Sequence, residues 1–130
     1  MAGKEGNIKV SIRNVVKKYD TRNGEMIALN GANLDIMENE FICVIGPSGC
    51  GKSTLLNIIA GLLEPTSGEV IVDGHKVEGT GVDRGVVFQQ YALFPWLTVK
   101  KNVQFGLKLQ GKSQAEMDAI AEKYIKMVGL

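Results

Sequence analysis

Residues 46–54 combine glycines, a lysine and a hydroxyl side chain in the spacing G-x-x-x-x-G-K-[ST]. Glycines let the backbone curl so that successive N–H groups point at one anion. Lys52 can then reach the outer phosphates, and the Ser53 hydroxyl can ligate the magnesium ion that accompanies them. The pattern therefore predicts a loop that binds a nucleoside triphosphate. Its residues are Gly46, Pro47, Ser48, Gly49, Cys50, Gly51, Lys52, Ser53 and Thr54.

The segments on either side of this loop have the patterns that such a site requires. Residues 41–45 form a continuous apolar run, which is typical of a buried strand. The residues after the loop place apolar side chains at helical spacing, namely Leu55, Leu56, Ile58, Ile59 and Leu62. The sequence thus predicts a strand, the loop and a helix that ends near Gly61, with the positive end of the helix at the phosphates.

Turn signals organise the remaining segments before and after this unit. Ile8, Val10 and Ile12 alternate with polar residues, and Asn23-Gly24 is a tight-turn signal, so the first forty residues are predicted to be β structure. Asp73-Gly74 is a hairpin signal between two short strands. Residues 85–88 predict a further short buried strand.

The last quarter of the chain has helical patterns. A mostly apolar helix is predicted over residues 102–110, and it is broken at Gly111. Ser113 followed by Glu116 predicts a capping box at the start of a second helix. The second helix carries an apolar stripe that we expect to pack in the core, formed by Met117, Ile120, Ala121, Tyr124 and Val128.

Composition and charge exclude several classes of function. The 130 residues suit one domain at most, and a net charge of +1 leaves no electrostatic footprint for nucleic acid. No apolar stretch approaches the roughly 20 residues that span a bilayer, so no insertion into a membrane is expected. Cys43 and Cys50 have neither metal-site nor disulfide spacing, which favours a reducing cytosol. Cys50 is interpreted as a small loop residue and not as a reactive nucleophile.

Taken in order along the chain, these segments resemble the first half of an ABC transporter ATPase subunit. The matching pieces are VVKKY at residues 15–19, the loop, LLNIIAGL at 55–62, PTSGEV at 65–70, DRGVVFQQ at 83–90 and LFPWLTV at 93–99. The resemblance implies an α/β fold of the P-loop NTPase type, as one partial domain over residues 1–130. Residues 1–40 would be a mainly antiparallel β subdomain, 41–99 the core with a partial parallel sheet, and 100–130 the start of a helical subdomain.

The resemblance also implies roles for residues outside the loop, with ATP and Mg²⁺ as cofactors. Tyr19 occupies the place of an aromatic residue that stacks on adenine. Gln89 matches a glutamine that reaches the magnesium ion and positions the attacking water, with Gln90 as the competing assignment. Ser53 would be the second magnesium ligand. Trp96 would either contact a partner subunit or be a buried anchor of the helical segment.

The Pro95-Trp96 pair looks most like the subunits of importers for nitrate, sulfonates and taurine. The implied function is ATP-driven uptake of a small anionic solute. The implied partners are membrane-spanning transporter subunits, through residues 89–99, and a second ATP-binding subunit in a homodimer. The implied location is cytoplasmic and peripheral, on the inner face of the cell membrane.

Several elements of the family's hydrolytic machinery are missing from the 130 residues. The sequence has no Leu-Ser-Gly-Gly-Gln segment, no acidic strand ending in Asp-Glu, no following Asp loop and no switch histidine. Asp73 and His75 are interpreted as hairpin residues. We therefore expect an incomplete hydrolytic site, exposed apolar edges and marginal stability or association.

Two other functions are weighed against the importer ATPase. The first is a fragment of the same kind of subunit that binds a nucleotide but does not hydrolyse it. The second is an unrelated phosphate-loop kinase, which should show a lid rich in arginines. The only arginines are Arg13, Arg22 and Arg84, and they do not cluster in the sequence, so the kinase is disfavoured.

Overall fold

The alternating apolar residues of the first forty positions form a long β-hairpin. The structure is a computed structural model that describes residues 6–130. Strands β1 (Ile8–Thr21) and β2 (Gly24–Met37) pair antiparallel, from Ile8 opposite Met37 to Thr21 opposite Gly24. The predicted turn is confirmed and lies one residue earlier, at Arg22 and Asn23. Gly24 follows it with a φ of 113°, a conformation that favours glycine.

A second hairpin completes a four-stranded antiparallel sheet in the order β2-β1-β3-β4. Strand β3 (Ser67–Val72) pairs with the free edge of β1, and β4 (His75–Lys76) pairs with β3. The connecting residues Asp73 and Gly74 have positive φ values of 50° and 76°, as a tight hairpin turn requires. This hairpin and the turn role of Asp73 are therefore confirmed.

Helix α1 (Lys52–Ala60) supplies the other side of the core in this part of the chain. The core contains Ile12, Val15, Ile58, Val70 and Val72, with Leu55 and Ile59 packed against it. Of the predicted apolar face, Leu56 and Leu62 are exposed instead. The helix ends as predicted at Gly61, whose φ of 77° turns the chain so that the Leu62 N–H bonds the Asn57 carbonyl at 2.9 Å.

The two predicted parallel strands are not formed, which corrects the sequence interpretation. Residues 41–45 and 85–88 have irregular backbone, and Phe41, Ile45 and Val87 are each at least 90% exposed. A parallel strand takes its hydrogen bonds from neighbouring strands, and no strand within residues 6–130 pairs with either segment. The mixed α/β class is confirmed, but all strand pairs of the described residues are antiparallel.

The chain divides into two units, and the second, Val82–Leu130, is helical. Helix α2 (Val99–Leu109) begins three residues before the predicted start, because the Thr98 hydroxyl accepts a hydrogen bond from the Lys101 N–H at 3.3 Å. Helix α3 (Gln114–Met127) begins with the predicted capping box. No helix among residues 6–130 combines the length and apolar character needed to cross a membrane.

The contact between α2 and α3 combines apolar and charged groups. Met117 and Ala121 of the predicted stripe are buried, whereas Tyr124 and Val128 are exposed. Beside them, Asp118 Oδ1 accepts hydrogen bonds from Lys100 Nζ at 2.7 Å and Gln104 Nε2 at 2.8 Å. The hydrogen bond from Lys100, together with those from Gln114 and Gln104, holds the pKa of Asp118 below its usual range.

Candidate nucleotide-binding site

The loop at residues 46–54 leads directly into the N-terminus of α1, as the motif requires. Gly51 caps the helix with a φ of 98°, and the Leu55 N–H makes the first helical bond, to the Gly51 carbonyl at 2.9 Å. The N–H groups of Lys52, Ser53 and Thr54 precede that bond, so the helix provides no carbonyl acceptor for them. They form a cluster of donors at the positive end of the helix dipole, which suits an anion.

A bulge in the long hairpin lies against Gly51. Lys17 pairs with Leu29 and Lys18 pairs with Ile27, so Ala28 is an extra residue between two pairs. A Cβ atom added to Gly51 would lie 2.5 Å from the Ala28 carbonyl oxygen. Only glycine has room beside the Ala28 carbonyl. The contact between the hairpin and the loop could not be predicted from the sequence alone.

The Lys52 ammonium lies over the first residues of the loop. Lys52 Nζ donates hydrogen bonds to the carbonyl oxygens of Gly46 at 2.6 Å and Pro47 at 2.7 Å, and lies 3.6 Å from Cys50 Sγ. A Cβ atom added to Gly46 would lie 2.7 Å from that sulfur, so a larger residue at this position would require the Cys50 side chain to move. Ser53 lies in the first turn of α1 and is exposed. A cation, helix N–H groups and a hydroxyl oxygen together fit a triphosphate with Mg²⁺.

Tyr19 lies on the same stretch of hairpin that contacts the loop. It is half-buried on β1, opposite Met26. Two residues earlier, Lys17 pairs with Leu29, and the Leu29 side chain lies beside Gly51 of the loop. Lys17 Nζ lies 5.3 Å from the centre of the Tyr19 ring and donates to the Glu64 carbonyl at 2.8 Å. The Lys17 contact was missed from the sequence, although residues two apart share one face of a strand.

The remaining predicted residues belong to the second unit. Gln89 and Gln90 are both exposed on a bend after residues 85–88. Their surroundings therefore do not show which of the two is the predicted magnesium ligand. Trp96 is 76% exposed, so the alternative of a buried anchor is wrong. The packed aromatic residue is Phe94, whose ring lies 4.5 Å from that of Phe105 and 5.4 Å from that of Trp96.

Comparison with known proteins identifies the family. The family model described as "ABC transporter" matches residues 29–130, which is most of the chain. The chain belongs to the ABC transporter family. It is 55% identical over 123 residues to an uncharacterized ABC transporter ATP-binding protein of Methanocaldococcus jannaschii, a match that covers 95% of the chain and 46% of that protein.

Relatives of this chain include proteins that are named as import proteins. The nitrate import ATP-binding protein NrtD of Synechocystis is 51% identical over 121 residues, covering 93% of the chain and 46% of the relative. The taurine import ATP-binding protein TauB of Roseobacter denitrificans is 45% identical over 122 residues, with the same coverage. The chain therefore spans about half the length of the curated relatives that it matches.

Solved structures confirm the fold assignment. A dimeric post-hydrolysis ATP-binding cassette bound to ADP and Pi has a TM-score of 0.80 and 39% sequence identity. A dimeric bacterial ABC transporter cassette has a TM-score of 0.81 and 38% identity. Each match covers 93% of this chain and 57% of the solved chain. The chain has the fold of part of an ABC ATPase cassette, and the prediction of this family is confirmed.

Asn102 stabilises the turn before α2 through its side-chain amide. This role was not predicted from the sequence. Its side-chain Nδ2 donates to the carbonyl oxygens of Phe94, Leu97 and Thr98 at 3.0 to 3.2 Å. Its Oδ1 accepts from the Phe94 N–H at 2.8 Å. The Asn102 side chain thus bonds the backbone at both ends of the Pro95-Trp96 turn. A single asparagine near the start of a helix does not predict such bonds from the sequence.

Proposed function

We propose that this chain is the ATP-binding part of the ATP-hydrolysing subunit of an ABC importer for a small anionic solute of the nitrate, sulfonate or taurine type. The observation that carries the proposal is the loop at residues 46–54, whose glycines, Lys52 and helix N-terminus converge at one place. The names of the nitrate and taurine import relatives support the solute class. The Pro95-Trp96 pair supports the same class.

Each proposed site residue has a role that its chemistry suits. The loop N–H groups and Lys52 hold the phosphates, since charge-assisted hydrogen bonds to phosphate are strong. Tyr19 stacks on the adenine ring, and Ser53 and Gln89 supply oxygen ligands for Mg²⁺. Bound Mg²⁺ neutralises charge on the phosphate oxygens. Gln89 also orients the attacking water, through an amide that can both donate and accept.

The proposed partners are membrane-spanning transporter subunits and a second copy of the ATP-binding subunit. Residues 89–99 would contact the membrane-spanning subunits, and the exposure of Tyr91, Leu93 and Trp96 there supports a contact surface. The dimeric solved cassettes support the second partner. With these partners the chain would lie at the cytoplasmic, inner face of the cell membrane.

The 130 residues by themselves are expected to bind ATP without turning it over. ATP hydrolysis by this fold needs a carboxylate that holds the metal and polarises water, and no acidic strand ending in Asp-Glu occurs in the sequence. Binding by the loop does not need that carboxylate. A phosphate-release assay on the chain tests this expectation, and turnover that Lys52→Ala abolishes would contradict it.

Titration with a fluorescent ATP analogue tests the binding site. Lys52→Ala removes the fixed cation at the outer phosphates, and we expect binding to weaken by about 10- to 100-fold, as for loss of a hydrogen bond to a charged group. The matched control is Lys126→Ala, which removes an exposed lysine in the last turn of α3 and should leave affinity unchanged. Equal affinities of the wild type and Lys52→Ala would refute the proposed role of the loop.

A further inference from the structure

Lys17 connects the Tyr19 ring to the segment that follows α1. Its ammonium lies over the ring, 5.3 Å from the ring centroid, and donates a hydrogen bond to the Glu64 carbonyl at 2.8 Å. Lys17 and Tyr19 occupy alternate positions of β1, so their side chains share one face of the strand. Both side chains are half-buried. The ammonium therefore contacts one face of the aromatic ring and a backbone acceptor at the same time.

The backbone acceptor near Glu64 is itself held against β1. The Thr66 N–H donates to the Val16 carbonyl at 2.8 Å, and the Thr66 hydroxyl oxygen accepts from the Lys18 N–H at 3.0 Å. These two hydrogen bonds lie two residues beyond Glu64, so they keep its carbonyl close to the strand. A lysine side chain loses much rotamer freedom when it is ordered, and an acceptor held in this way helps to offset that cost.

The charge of Lys17 acts on the Tyr19 ring because no carboxylate neutralises it. Lys17 forms no ion pair within residues 6–130, whereas Lys18 belongs to the other face of β1 and pairs with Glu25 at 2.9 Å. The faces of an aromatic ring carry partial negative charge, which attracts a cation and repels the face of a second ring. A cation on one face draws this charge toward itself and lowers the repulsion at the opposite face.

We infer that Lys17 is a positioning residue for the adenine base, because it holds the Tyr19 ring by one face and leaves the opposite face for the base to stack on. The inference rests on the proposed function and adds to it a residue that acts through Tyr19 without touching the nucleotide. A ring that is ordered before binding saves the cost of ordering it when the base arrives. Lys17 should therefore affect the binding of the base and not the binding of the phosphates.

ATP and inorganic triphosphate, each in competition with a fluorescent ATP analogue, separate these two effects. Lys17→Met keeps the aliphatic stem and removes the charge. It should weaken ATP binding by about two- to tenfold, the cost of ordering one side chain, and leave the affinity for inorganic triphosphate unchanged. Lys17→Arg keeps a cation that can stack on the ring and donate to the Glu64 carbonyl, so it should restore most of the ATP affinity.

Two further variants show whether Lys17 acts through the ring. Lys18→Met is the matched control, because it removes the same charge from the other face of β1, and it should leave both affinities unchanged. In a Tyr19→Ala background, Lys17→Met should cause no further loss of ATP affinity, because the ring that Lys17 positions is absent. An equal loss with and without the ring would show that Lys17 acts independently of Tyr19, which would overturn the inference.

Three other results for Lys17→Met would also overturn the inference. An equal loss for ATP and inorganic triphosphate would indicate a phosphate contact, and tighter ATP binding would place the ammonium on the face that the base needs. An unchanged ATP affinity would show that the ring does not require Lys17. If Tyr19→Ala and Lys52→Ala still weaken ATP binding in the same assay, the positioning inference alone is refuted. If neither variant weakens it, the proposed function is refuted as well.

Discussion

Single residues in the proposed ATP site act through contacts that the linear motif does not contain. Gly51 is required because the Ala28 carbonyl approaches it, and the bulge at Ala28 depends on the pairing of two strands. Tyr19 likewise has Lys17 over its ring, at a centroid distance of 5.3 Å. The motif therefore indicates which chemistry occurs, while the hairpin determines where the loop and the aromatic ring lie.

Replacing Tyr19 tests whether its ring contributes to adenine binding. Stacking of a base on an aromatic side chain contributes about 1–3 kcal/mol, so Tyr19→Ala should weaken binding of an ATP analogue by about 5- to 100-fold. Tyr19→Phe keeps the ring and should retain nearly full affinity. Competition between ATP and inorganic triphosphate sharpens the measurement, because only ATP should lose affinity in Tyr19→Ala.

Tyr124 provides a matched control for this experiment. Its ring has a lysine at a similar distance, with Lys123 Nζ 5.5 Å from the centroid, but it lies on α3. Tyr124→Ala should therefore leave the affinity for ATP unchanged. The adenine role would be excluded by an unchanged ATP affinity in Tyr19→Ala, or by an equal loss for ATP and inorganic triphosphate.

At the scale of elements, α3 begins at a capping box whose strength depends on the charge of Glu116. The Ser113 hydroxyl and N–H bond Glu116 Oε2 at 2.7 and 2.9 Å, and the Glu116 N–H donates to Ser113 Oγ at 3.4 Å. The hydrogen bonds from Ser113 hold the pKa of Glu116 below its usual range. The ionised carboxylate is therefore part of the cap.

Acidification should weaken the start of α3 through this group. Because the pKa of Glu116 is lower in the folded chain, its stabilisation is present above the ordinary value near 4.5 and is lost as the pH falls through the folded pKa. Hydrogen exchange of residues 114–118, measured from pH 7 down to pH 3 and corrected for the intrinsic rate, should show falling protection. Glu116→Gln should already have lower protection at pH 7 and a flatter pH dependence.

A second acidic group requires a control in this experiment. Asp118 also has a lowered pKa, through Lys100, so it contributes its own pH dependence to the same helix. Asp118→Asn removes that contribution and leaves the capping box intact. If the pH dependence of the first turn disappears in Asp118→Asn and persists in Glu116→Gln, the capping box is not its source.

Elements specified by neighbouring residues were predictable from the sequence, and elements specified by distant ones were not. The turn near Asn23, the Asp73-Gly74 hairpin, the end of α1 at Gly61 and the Ser113 cap each depend on a few adjacent residues, and all four are confirmed. Residues 41–45 and 85–88 have the apolar pattern of strands, yet a strand forms only where another strand pairs with it. The same limit explains why the Ala28 bulge and the Asn102 turn were missed.

At the scale of the whole molecule, apolar side chains remain in contact with solvent in both units. Phe41 and Ile45 in the first unit, and Val87 and Tyr91 in the second, are each at least 90% exposed. Unpaired apolar segments of this kind pair with other chains, since their backbone and side chains both lack partners. The expectation of exposed apolar edges agrees with this exposure, and association in solution is its testable consequence.

Lysine substitutions in the two unpaired segments should suppress this association. We expect the wild-type chain to associate at micromolar concentration, and Phe41→Lys/Val87→Lys to lower the mass measured by light scattering toward that of a monomer. Asn57→Lys/Gln110→Lys adds the same charge at exposed polar positions and should reduce the mass much less. Both variants should still bind the ATP analogue, because neither changes residues 46–54. If the two double variants lowered the mass equally, net charge and not the unpaired apolar segments would control association.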